Sequence, residues 1–134
     1  MAIIKKDTSV ILGVDPGIAD TGIGVIQSSQ GKLACLFYNS IKTKASLDLA
    51  SRLEIINCEL AKIIKKYQPS LVAVEQLFFC KNVKTALVVG HARGVVLLTA
   101  RQNKLPITEF TPLQVKQAVS SYDRAEKLQV QKME

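Results

Sequence analysis

The sequence predicts an α/β domain. Its core is a mixed five-stranded sheet whose first three strands are antiparallel, with helices on both faces. Three observations carry this. Three apolar runs in the first 41 residues are joined by short connections rich in turn residues. Strands joined by short turns pair antiparallel. From residue 46 onward, apolar runs of strand length alternate with helical periodicity, and such alternation makes parallel strands with crossover helices. Finally, 134 residues leave room for one domain and no more.

The elements follow in order. Ser9–Asp15 (SVILGVD) is a nearly continuous apolar run ending in the turn signal Pro16-Gly17. Thr21–Gln27 (TGIGVIQ) is the second strand, and Gln30-Gly31 a hairpin signal. Leu33–Ile41 is the third strand. Ser46 is a candidate cap for a helix. That helix presents Leu49, Leu53, Ile56, Leu60, Ile64 and Tyr67 on one face, and Pro69 bars its continuation. Leu71–Glu75 (LVAVE) is a buried strand. Val83–Arg101 is a second helix and Ile107–Phe110 a short fifth strand. Thr111-Pro112 opens a short helix to about Val119, and a last helix begins near Arg124.

The second helix is unusual because Ala86–Val89, Ala92 and Val95–Leu98 leave its middle almost without a polar face. A helix apolar all round needs cover on two sides. The sheet supplies one. The other is either the remaining helices or a second copy of the chain. Gly90 and Gly94 stand four apart on one face and permit close backbone approach there.

Composition narrows the function. The net charge is +7, and the surplus is concentrated after residue 75, where nine basic side chains face four acidic ones. A basic surplus points to a polyanion, most commonly nucleic acid. There is no uninterrupted apolar run of about 18 residues. Cys35, Cys58 and Cys80 are odd in number and lack CxxC spacing, so a disulfide framework or zinc site is not expected and a reducing, cytoplasmic compartment fits. With a single histidine, His91, any metal site must be built from oxygen ligands.

Two carboxylates stand out by position: Asp15 and Glu75 each close an apolar strand. The ends of adjacent strands in such a sheet form the crevice where ligands bind. A paired carboxylate site without nearby histidine or cysteine suits a hard cation such as Mg²⁺ or Mn²⁺. The stretch DPGIADTGIG (Asp15–Gly24) admits two readings. One is a phosphate-binding hairpin, as in sugar kinases and actin-like ATPases, but those hold nucleotide between two large domains and this chain has room for one. The other is the metal-binding aspartate of a ribonuclease H-like nuclease, whose strand order fits.

The motifs ILGVDPGIADTGIGVI (Ile11–Ile26), VEQLFFCKN (Val74–Asn82), GHARGV (Gly90–Val95), QVKQAV (Gln114–Val119) and AEKLQVQ (Ala125–Gln131) closely resemble the RuvC family of Holliday junction resolvases, in family order. The resemblance implies a ribonuclease H-like fold and metal-dependent hydrolysis at four-way DNA junctions. By it, Asp15 and Glu75 are catalytic residues and ligands of Mg²⁺. Phe78 matches the aromatic that inserts among bases. Lys81 and Asn82 match the KN that follows the glutamate, and Lys116 and Lys127 match lysines that contact DNA. Leu87, Gly90, His91 and Gly94 fall on the helix the family uses for its homodimer, which nicks opposite strands symmetrically. The RuvA-RuvB branch-migration complex is the implied protein partner.

The chain departs from the family pattern at one place. The family carries a D-x-x-D pair on its C-terminal helix, and no such pair occurs after Lys127, where Glu134 is the only acid. The expectation is a single domain, residues 1–134, that lacks the family's C-terminal catalytic helix and reads as a fragment. Such a fragment would bind junctions and cleave them poorly. The competing expectation is a non-catalytic junction-binding dimer. A third is a related nuclease acting on RNA.

Overall fold

A computed structural model of the chain describes residues 8–76 and 83–111. The described elements are β1 (Thr8–Asp15), β2 (Asp20–Ser29), β3 (Lys32–Lys42), α1 (Leu49–Tyr67), β4 (Leu71–Glu75), α2 (Val83–Gln102) and β5 (Ile107–Phe110). Each matches an expected element to within two residues. The helices expected after Thr111 lie outside the described residues.

The five strands form one sheet in the order β3-β2-β1-β4-β5. The pairs β1–β2 and β2–β3 are antiparallel, while β1–β4 and β4–β5 are parallel. The β2–β3 turn is the two-residue Gln30-Gly31, with φ of 52° and 76°. Positive φ at both central residues gives the twist that a tight hairpin requires. A register shift between Val25 and Ile26 bulges the pairing with β3. Two parallel connections then need crossovers, which α1 and α2 provide.

Side chains alternate along strands, so one face of the sheet is set by Leu12, Val14, Ile23, Val25, Val72 and Val74, all nearly or wholly buried. They join Ile56, Leu60 and Ile64 of α1 and Ala92, Val96 and Ala100 of α2 in one core. Both described helices therefore lie on this one face. The opposite face carries Gly13, Asp15, Gly22, Gly24, Ala73 and Glu75 in matching register. Among the described residues no helix covers it.

The cap of α1 corrects the expectation. Asp48, not Ser46, is the N-cap, and its carboxylate accepts from the Ser51 N–H. Asp48 is the better cap because it stands three residues before the amide it must satisfy, and it also accepts from the Ser51 hydroxyl at 2.6 Å. Its carboxyl is held below the ordinary range by these bonds. The C-terminus of α1 closes with Gln68 in the left-handed region, its N–H donating to the Ile64 carbonyl.

By length and mean hydropathy (1.3) α2 could cross a membrane. One stripe of it, Ala92, Val96, Thr99 and Ala100, packs into the core. The buried Thr99 hydroxyl bonds Asn57 Oδ1 on α1 at 2.7 Å, and the α1–α2 seam is otherwise apolar. The far side of α2 remains bare, with Val83 71%, Leu87 61% and Leu98 56% exposed.

Candidate active site

The site begins with register. Val14 of β1 and Val74 of β4 are partners in a parallel pair. Asp15 and Glu75 each follow by one residue, so both acids leave the ends of adjacent strands on the uncovered face. Asp15 is exposed and Glu75 half-buried. Partial burial, the Asp15 charge beside it and a hydrogen bond between the two acid side chains raise the Glu75 carboxyl above its ordinary value.

Small residues keep the surroundings open. Gly22 lies opposite Asp15 on β2, and a Cβ at position 22 would stand 3.4 Å from the Asp15 Cβ. The result is a groove of about 660 Å³ lined by Asp15, Gly22, Gly24, Tyr38, Glu75 and Phe110, among others.

Two polar clusters fix the strand ends from behind. After Asp15 the chain turns at Pro16–Ala19 into β2. The Thr21 hydroxyl donates to the Gly17 carbonyl at 2.6 Å, and that of Thr43 donates to Ile18 at 2.5 Å. Arg52 Nε donates to Thr43 Oγ1 at 2.9 Å, tying α1 to the same turn. Behind Glu75, the Gln76 N–H donates to the Phe110 carbonyl at 2.7 Å. The Gln76 amide also reaches Glu109 at 3.5 Å, and Glu109 is ion-paired with Arg93 of α2. Arg93 holds the Glu109 carboxyl below its usual range. Neither cluster was legible in the sequence. The nearest signal is Arg93, a charged side chain in the middle of an apolar helix.

Can this pair hold a cation? Among the described residues neither Asp15 nor Glu75 makes a salt bridge, and no group of three metal-ligating side chains occurs. A Glu75 carboxyl raised by burial and by its Asp15 neighbour, with neither acid in an ion pair among the described residues, completes an oxygen-only donor set that fits a hard divalent cation.

Of the other expected residues, Leu87 and His91 are exposed on the bare side of α2, and a Cβ at Gly90 or Gly94 would meet nothing within 4 Å. Phe78, Lys81, Asn82, Lys116 and Lys127 lie outside the described residues.

Comparison with known proteins gives the family. The family profile described as crossover junction endodeoxyribonuclease RuvC matches residues 11–134. Relatives bearing that description include one from Halothermothrix orenii, 54% identical over 124 residues, and one from Ruminiclostridium cellulolyticum, 51% identical over 124 residues. Each alignment covers 92% of this chain and 75% of the relative. Among solved structures, Thermus thermophilus RuvC in complex with a Holliday junction substrate superposes with a TM-score of 0.78 at 33% identity, covering 83% of this chain and 71% of that one. The yeast mitochondrial Holliday junction resolvase Ydc2 shares the fold, with a TM-score of 0.61 at 14% identity, over 92% of this chain and 61% of its own. With both acids of its matching motifs brought to one crevice of a ribonuclease H-like sheet, the chain belongs to the RuvC family of crossover junction endodeoxyribonucleases.

Proposed function

We propose that this chain is the catalytic domain of a metal-dependent endonuclease that resolves four-way DNA junctions as a homodimer, in recombination and repair. The observation that carries the reading is the juxtaposition of Asp15 and Glu75 on adjacent strand ends. These two would hold Mg²⁺, with Mn²⁺ as a substitute. Such a cation supplies charge neutralisation at the scissile phosphodiester and activation of the attacking water. The bond broken joins phosphorus to the 3′-oxygen, leaving 5′-phosphate and 3′-hydroxyl ends. The open sheet face and its 660 Å³ groove give a phosphodiester backbone access to the acids.

Phe78 would stack on an unpaired base, and Lys81, Asn82, Lys116 and Lys127 would meet the nucleic acid, the lysines at phosphate. The +7 net charge favours that partner. The bare side of α2 supports the homodimer, with Leu87, Gly90, His91 and Gly94 at its seam, and a two-fold dimer matches a substrate of two-fold symmetry. A cytoplasmic setting and a RuvA-RuvB partner follow from the same reading.

The 134 residues contain no D-x-x-D pair after Lys127, so as a separate polypeptide they bind junctions but cleave weakly. The test is a junction-cleavage assay in Mg²⁺ of this chain, of the chain extended by a relative's C-terminal segment, and of Asp15→Asn in both. The reading expects strong cleavage only in the extended form with Asp15 intact. Equal cleavage by the Asp15→Asn variant would sink it. A second reading, a junction-binding dimer without catalysis, is supported by the basic surplus and by the bare apolar side of α2. It expects tight junction binding and no cleavage in either form.

A further inference from the structure

Arg93 stands in the middle of α2, the less polar of the two described helices, with only 18% of its side chain exposed. Such a charge is costly to bury unless it is paired. Its partner is Glu109 on β5, and Glu109 in turn meets the amide of Gln76. Arg93 Nε is buried without a hydrogen-bond partner. An apolar residue of similar volume would serve helix packing at least as well, because an ion pair whose acid is accessible to water adds little net stability. What the ion pair does supply is a fixed position.

That position is beside the strand end that carries Glu75, on the helix-covered face of the sheet. Glu109 is the register partner of Val74, and Phe110 that of Glu75. Gln76 follows Glu75 and faces the helices, while Glu75 faces the groove. Beyond Glu75 the described ladder continues by one bond, from the Gln76 N–H to Phe110. The Arg93–Glu109–Gln76 cluster therefore anchors the last turn of backbone that carries Glu75 to α2 and β5. We propose that Arg93 is a positioning residue for Glu75, setting the separation of the two acids and hence their joint affinity for a divalent cation. This rests on the metal-site reading given above.

The test uses Mn²⁺ binding to the 134-residue chain, read by electron paramagnetic resonance, with circular dichroism to monitor the fold. Arg93→Met keeps the bulk and removes the donors. It is expected to weaken Mn²⁺ binding by about tenfold with helix and sheet content unchanged, the scale seen when groups supporting metal ligands are removed. Arg93→Lys restores one donor and the charge, and should recover most of the loss. If Arg93→Met does not fold, Glu109→Gln, which changes an accessible side chain, should weaken Mn²⁺ in the same direction. Unchanged Mn²⁺ affinity in whichever of these variants folds overturns the assignment. Failure of the unaltered chain to bind Mn²⁺ any better than Asp15→Asn overturns the metal reading itself, and the role of Arg93 with it.

Discussion

Asp15 and Glu75 end two hydrogen-bonded parallel strands, one residue beyond the Val14–Val74 pair and on the same face of the sheet. The strand register alone therefore brings two like charges together. Partial burial of Glu75, and then the Asp15 carboxylate beside it, raise the Glu75 carboxyl above its ordinary value. The metal-free fold must carry this repulsion, and a cation held by the two acids would relieve it.

A pH dependence follows. Between its ordinary value of 4.5 and its raised value, Glu75 holds a proton in the folded chain that it has lost in the unfolded one. The folded state then binds more protons, so stability falls as pH rises through that window. The contribution is fully present below pH 4.5 and is lost above the folded value. Urea midpoints measured from pH 4 to pH 8 should show this decline in the metal-free chain, and Glu75→Gln should flatten it. Added Mg²⁺ should stabilise the chain most at the upper end, where no proton competes for the site. An unchanged slope in Glu75→Gln would refute the assignment.

The turn after Asp15 should tolerate no side chain at position 17. A Cβ there would lie 2.3 Å from the Asp20 carbonyl oxygen, a backbone atom that cannot swing aside. Gly17→Ala is expected to cost about 1–3 kcal/mol and to weaken Mn²⁺ binding at Asp15. Thermal melting and metal titration would check both. A variant that melts and binds as the parent does would show that the turn yields more easily than its contacts with Thr21 and Thr43 suggest.

Leu87→Glu tests the homodimer. Leu87 is 61% exposed and contributes little to the core of its own chain. The substitution should leave secondary structure and the melting temperature of the monomer unchanged. It should convert a dimer to a monomer in light scattering. A parent chain that is already monomeric at micromolar concentration would remove the basis for this seam.

The two helices are joined by one buried polar contact, and its removal should be cheap but measurable. Thr99 is 1% exposed and bonds Asn57 on α1. Thr99→Val preserves the shape and deletes the hydroxyl. The expected loss is about 1 kcal/mol in a urea titration, since Asn57 is only half-buried and regains water. A loss near zero would mean that the contact adds nothing beyond packing.

What the sequence determined by itself was local. Period-two and period-3.6 patterns of apolar residues placed seven elements, because burial on one face leaves its mark at each position. Position singles out Asp15 and Glu75, because each is an acid at the end of an apolar run, where a charge needs a reason, and the family motifs match the same two residues. The cap was misplaced at Ser46, since Ser46 and Asp48 are both good caps and only helix geometry decides which carboxylate or hydroxyl reaches Ser51. What the tertiary structure decided was every relation between distant segments. The register that makes Asp15 and Glu75 neighbours is a pairing across 60 residues of sequence. The placement of both described helices on one face, which leaves the acids in an open groove, depends on packing. The Arg93–Glu109–Gln76 cluster joins a helix, a strand and a strand end through side-chain geometry, and no periodicity records it. Local pattern is a property of neighbouring residues, whereas a site is a property of the fold that brings remote ones together.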